Sequence, residues 1–142
     1  MNFSQDPDLN KSILRSKAEG FMESIGSPMF FDREGAILTI GALDSMIDTL
    51  TAQLPKERLN SDYRIVESFG SLLGEALKLA IGGDWYYSEN WGRWVVLYNT
   101  PDGSRAEMNV FRKMENRFKN GTEDSISFYF QGLLSAFFDK SI

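Results

Sequence analysis

At Gly82-Gly83 the chain changes period, and that change limits the folds open to it more than any other feature of its 142 residues. Upstream, apolar residues recur at helical spacing in three successive stripes. Downstream, a short run rich in aromatic and β-branched residues reads as strands before helical spacing returns. Helices, then a compact block of strands, then helices again describe an α+β layer structure.

Leu9, Ile13, Leu14, Ala18, Phe21, Met22 and Ile25 predict a first helix over about residues 8–25, stopped by Gly26-Ser27-Pro28, with residues 1–8 frayed. Met29 to Gly35 reads as a connector whose aromatics tuck under the next element. Ile40, Leu43, Ile47, Leu50 and Leu54 mark a second helix ended by Pro55. A third, capped by Asn60 or Ser61, carries the broad stripe Ile65, Val66, Phe69, Leu72, Leu73, Ala76, Leu77, Ala80 and Ile81, wide enough to face neighbours on two sides. It also holds Gly70 and Gly74 one turn apart. Each costs about 1 kcal/mol against alanine in a helix, so a close backbone approach by another element is expected there.

Asp84 to Ser88 and Arg93 to Asn99 predict two strands joined by the loop Glu89-Asn90-Trp91-Gly92. Thr100-Pro101-Asp102-Gly103 is a turn, and Ser104 to Asn109 completes an antiparallel meander. Two registers are open. A type I turn with a glycine bulge puts Trp85, Tyr87, Trp94, Val96, Tyr98, Ala106 and Met108 on one core face, leaving Tyr86, Val95, Leu97, Arg105 and Glu107 half-exposed. A plain four-residue loop would instead set Trp94 and Tyr98 beside Arg105 and Glu107, a surface suited to a ligand. The proline and glycine of the turn favour the bulge. Phe111, Met114 and Phe118 mark a fourth helix closed by Asn120-Gly121. Thr122 caps a fifth, from Ile126 to Phe138, with Glu123 and Asp124 complementing its dipole.

This length, with 42% apolar and 25% charged residues, gives one domain with an ordinary core, residues 1–142. The chain has neither cysteine nor histidine, which excludes disulfides, thiolate or imidazole metal sites and Ser-His or Cys-His nucleophile pairs. No metal site or cofactor is expected: no Walker loop or dinucleotide glycine motif occurs, and the Asp6-Pro7-Asp8 start of a calcium loop meets Lys11 where that loop needs glycine. The first eight residues have no basic and apolar leader, so a cytoplasmic location and no membrane partner are expected. A net charge of −5 disfavours nucleic acid.

Two features suggest a surface. Trp91 stands at a loop tip, where an aromatic ring has little core to fill unless it folds back to plug the sheet edge, and Arg93 follows it. Arg112, Lys113, Arg117 and Lys119 fall within eight residues, either as a solvated helix face or as a site for phosphate or an acidic partner. Trp91, Arg93, Arg112 and Arg117 are therefore the candidate binding residues, with no catalytic residue among them. The acids Glu67, Glu75, Asp84, Glu107, Glu123 and Asp124 show no spacing that demands catalysis.

The sequence Leu73-Gly74-Glu75-Ala76-Leu77, then Gly82, Trp85, Gly92-Arg93, Met114, Arg117 and Gly121, spread over about Phe69 to Leu133, resembles a small bacterial family known as a domain of unknown function. That family has Phe-Pro where this chain has Asn109-Val110, and an acidic residue where it has Lys119. The resemblance implies an α+β fold and no particular activity. The residues themselves point to a non-catalytic binding module for a protein or small ligand. An acidic immunity-type antagonist of a basic toxin, and a hydrolase or transferase using carboxylates with Arg112 or Arg117, are the alternatives.

Overall fold

The computed structural model describes residues 6–55 and 62–138. Helices α1 (Pro7–Ser24), α2 (Arg33–Gln53) and α3 (Tyr63–Ala80) precede strands β1 (Asp84–Ser88), β2 (Arg93–Asn99) and β3 (Arg105–Met108). Helix α4 (Val110–Asn120), a 3-10 turn (Gly121–Asp124) and α5 (Ile126–Phe138) follow. The architecture is the expected one: three helices, a three-stranded antiparallel sheet in the order β1-β2-β3, and two more helices.

Several boundaries differ for local reasons. Asp6 accepts a hydrogen bond from Asp8 N–H (3.0 Å), so α1 is already formed at Pro7, within the stretch expected to fray. Asp32 does the same for Gly35 (2.8 Å) and starts α2 inside the supposed connector. There Phe30 is buried as anticipated, but Phe31 points to solvent. Asn60 and Ser61 lie outside the described residues, and Asp62 is the side chain that caps α3. Thr122 does not cap α5. The extra 3-10 turn moves the helix start on, and Ser125 Oγ accepts from Phe128 N–H (3.2 Å).

Gly82 and Gly83 both take positive φ (114° and 97°), the conformation that lets the chain leave α3 and enter the sheet at once. In the second hairpin Tyr98 pairs with Ala106 and Val96 with Met108, and Gly103 has φ 89°; this is the bulge register. Trp85 opposite Val96 and Tyr87 opposite Trp94 join the same face. Two residues depart from the expected exposure. Tyr87 is on the core-facing side yet 49% exposed, and Val95 is fully buried on the outer face, which Arg105 crosses to lie on the Tyr86 ring (5.3 Å).

Central helix α3 packs against α1, α2, α4 and the sheet, and one cluster of buried apolar residues runs through every helix and strand described. The two glycines of α3 are approached by rings rather than by backbone. A Cβ on Gly74 would fall among three carbons of the Trp85 six-membered ring, and one on Gly70 would lie 2.5 Å from Phe111 Cδ1. Trp85 and Phe111 stack on each other (6.1 Å, 25°), and the Trp85 indole N–H donates to Glu75 Oε2 (2.6 Å). Glu75 is 2% exposed, with Arg15 and Lys78 also donating to it, so the carboxylate is a buried anchor for the sheet.

The start of α5 is held from a distance. Asp44 of α2 accepts hydrogen bonds from the Ile126 and Ser127 N–H groups (3.0 and 2.9 Å), from Ser125 Oγ (3.0 Å) and from Arg117 Nε (2.8 Å). Burial opposes its ionisation. The bonds from Arg117, the two backbone groups and Ser125 outweigh that and hold the carboxyl well below the usual range. Asp44 thus does what was expected of Glu123 and Asp124, which sit instead in the 3-10 turn, where Asp124 accepts from Asn120 and faces Lys113.

Candidate functional site

The β1–β2 loop is fixed by its own backbone. Gly92 N–H donates to Ser88 C=O (2.8 Å), Trp91 N–H donates to Ser88 Oγ (3.2 Å), and Gly92 has φ 67°. Trp91 is held at the tip and remains 48% exposed. Because β3 pairs from Asn99 towards Val96, it runs towards this tip, and α4 starts two residues after β3 ends. Asn109 caps α4 by accepting from Arg112 N–H (3.2 Å), which places the Arg112 guanidinium over the Trp91 ring at 5.8 Å.

Behind the tip, Arg93 joins three elements. It donates to both oxygens of Glu115 on α4 (2.9 and 3.1 Å) and to the phenol oxygen of Tyr63 at the start of α3, and it lies 6.0 Å from the centre of the Phe111 ring. The hydrogen bond from Arg93 to Glu115 raises the Arg93 pKa, and for Glu115 the Arg93 bonds outweigh burial and keep the carboxyl low. Burial pushes the Tyr63 phenol up to about 12, so it stays protonated at neutral pH.

An open cleft of about 310 Å³ lies here, between Tyr63 and Glu67 of α3, Tyr87, Arg93 and Trp94 of the hairpin and Phe111. Tyr63 and Tyr87 are nearly half-exposed, and Glu67 is buried, with Lys17 Nζ 4.0 Å from its carboxylate. The walls are aromatic and the polar groups few, which suits a side chain or small planar group more than a reaction.

Of the four residues singled out by sequence, Trp91, Arg93 and Arg112 converge on this rim. Arg117 does not. It is 2% exposed and donates to Asp44 and to Asp48 (2.7 Å), so it is an interior strut linking α4 to α2 and neither a surface site nor part of a solvated face. Tyr63, Tyr87 and Glu67 were not anticipated as site residues. Tyr63, Glu67, Gly70 and Gly74 follow helical spacing, a pattern that marks the α3 face turned towards the sheet.

Other acids considered for chemistry are held elsewhere. Glu75 binds Trp85, Arg15 and Lys78; Asp84 pairs with Lys11 (2.9 Å) and Lys78 (3.6 Å). Among the described residues no group of three or more acidic side chains is placed to hold a metal ion, and no helix is long and apolar enough to cross a membrane. Comparison with protein families, curated proteins and solved structures finds no match to this chain.

Proposed function

We propose that this domain is a non-catalytic binding module whose partner docks on the rim formed by the β1–β2 loop and the start of α4. The observation that carries this reading is Trp91, an aromatic side chain left half in solvent on a hydrogen-bonded loop and steadied by Arg112. Tryptophan and arginine are the residues most enriched where binding energy concentrates, and a pre-positioned pair loses little entropy on docking. The adjoining aromatic cleft supplies a pocket for a partner side chain.

Trp91→Ala is expected to cost less than about 1 kcal/mol in a urea titration, the scale of an exposed cation–π contact. In protein labelled with 5-fluorotryptophan, the fluorine signal that disappears in Trp91→Phe should be the one most sensitive to replacing H2O by D2O. A loss near the roughly 3 kcal/mol of a core aromatic truncation, with an insensitive signal, would make Trp91 a structural plug.

For binding itself, a photo-cross-linking benzoylphenylalanine replaces Trp91 in one protein and the exposed Ser45 of α2 in another. Discrete adducts formed from position 91 and not from position 45 support the rim. The same adducts from both positions, or none from position 91, would overturn it.

A further inference from the structure

The geometry points to an acidic polypeptide segment as the partner of this rim: we propose that a carboxylate meets the outer edge of Arg112 while the residue beside it covers Trp91. The proposal rests on the binding-module reading and adds the charge of what binds.

Among the described arginines four are matched with a carboxylate, whereas Arg33 bonds the Ala80 carbonyl and Arg105 lies over the Tyr86 ring. Arg15 pairs with Glu19 and Glu75, Arg64 with Asp62, Arg93 with Glu115, and Arg117 with Asp44 and Asp48. Arg112 is exposed, and among the described residues it forms no ion pair; its guanidinium lies against the Trp91 ring instead. Glu115, one turn along α4, already has both oxygens engaged by Arg93. A guanidinium that lies 5.8 Å from an aromatic ring centre and has no carboxylate partner among the described residues keeps N–H donors able to grip a carboxylate. The first turn of α4 contains no acidic residue, so nothing there offsets the positive end of that helix dipole.

A basic partner would set its cations against the Arg112 guanidinium, 5.8 Å from the Trp91 ring centre. Nucleic acid binding draws on a row of phosphate contacts, whereas the cations beside Arg112 are already neutralised: Arg93 by Glu115 and Lys113 by Asp124 (3.5 Å). A net charge of −5 adds long-range repulsion for a polyanion, while one or two carboxylates feel mainly the local guanidinium. The cleft behind the rim is sized for one side chain, which a peptide carries and a free carboxylate does not.

The test is a titration of the 15N-labelled protein with three probes: acetyl-Phe-Glu-Glu amide, acetyl-Phe-Lys-Lys amide and a short oligothymidylate. The acidic peptide should shift the Trp91 indole N–H and Arg112 Nε–H signals. Its affinity should fall about tenfold in Arg112→Gln and weaken as salt is raised. Tighter rim binding by the basic peptide or the oligothymidylate, no shift with the acidic peptide, or acidic binding indifferent to Arg112→Gln would each overturn the proposal. The two readings fail separately. Specific adducts from position 91 with no response to the acidic peptide leave the binding module standing and remove the acidic assignment, whereas absence of those adducts removes the rim itself.

Discussion

Replacing Gly74 with alanine is expected to destabilise the fold by about 3 kcal/mol, although the same change in an open helix stabilises by up to about 1 kcal/mol. The added methyl would lie under 3.0 Å from Cη2, Cζ2 and Cζ3 of the Trp85 ring. That ring has nowhere to go, because its indole N–H is bonded to buried Glu75 and its face is stacked on Phe111. At Gly20 of α1 and Gly132 of α5 a methyl group would meet nothing within 4 Å, so alanine at either should raise the urea midpoint. Opposite signs for one chemical change isolate the ring contact from helix propensity. A midpoint for Gly74→Ala equal to or above that of the wild type would refute the notch, and Gly74→Leu, if it folds, should be worse still.

Asp44→Asn should cost about 3 kcal/mol at neutral pH, the scale of breaking a largely buried ion pair that also serves as a helix cap. In one orientation the amide oxygen keeps Arg117 and Ile126 while its NH2 group faces the Ser127 N–H; in the other it keeps Ser125 and Ser127 while the NH2 group faces the donors of Arg117 and Ile126. The pH dependence carries the sign. The folded-state pKa of Asp44 lies below its unfolded value of about 3.9, so its contribution is complete above that value and is lost as pH falls from there through the folded pKa. The gap in stability between wild type and Asp44→Asn should therefore be widest at neutral pH and narrow below about pH 4. A gap that stays constant down to about pH 2 would show that the charge of Asp44 contributes nothing.

What is legible in the bare sequence is what local backbone chemistry decides. The positive φ of Gly82, Gly83 and Gly103 is signalled by the residues themselves, and with it come the helix-to-sheet switch and the register of the second hairpin. The Gly70 and Gly74 contacts follow from cost: a helix does not carry two such residues in its apolar stripe without a neighbour. Trp91 and Arg112 are legible because a loop tip and a short amphipathic helix leave few places for their side chains.

Asp44 and Arg117 are not legible. One looks like an ordinary polar position on α2 and the other like a solvated charge on α4. Only tertiary packing, across 73 residues of sequence, turns them into a part-buried pair and a cap. Phe30 and Phe31 show the same limit at close range, since adjacent rings in a connector cannot be sorted into inside and outside before the entry angle of α2 is known.

The two rings seated over Gly70 and Gly74, Phe111 of α4 and Trp85 of β1, also set how α3 can move against the layer that α4 and the sheet form together. A smooth helix face can shear past its neighbour by small increments, but here each ring occupies its own notch, like two teeth in a rack. The next matching position is one helical turn away, about 5.4 Å. In one direction Trp85 would reach Gly70 while Phe111 ran into the turn that carries Val66 and Glu67; in the other, Phe111 would reach Gly74 while Trp85 met Leu77 and Lys78. Neither slip finds room for both rings. Both ring contacts therefore oppose gradual sliding of α3 past its neighbours.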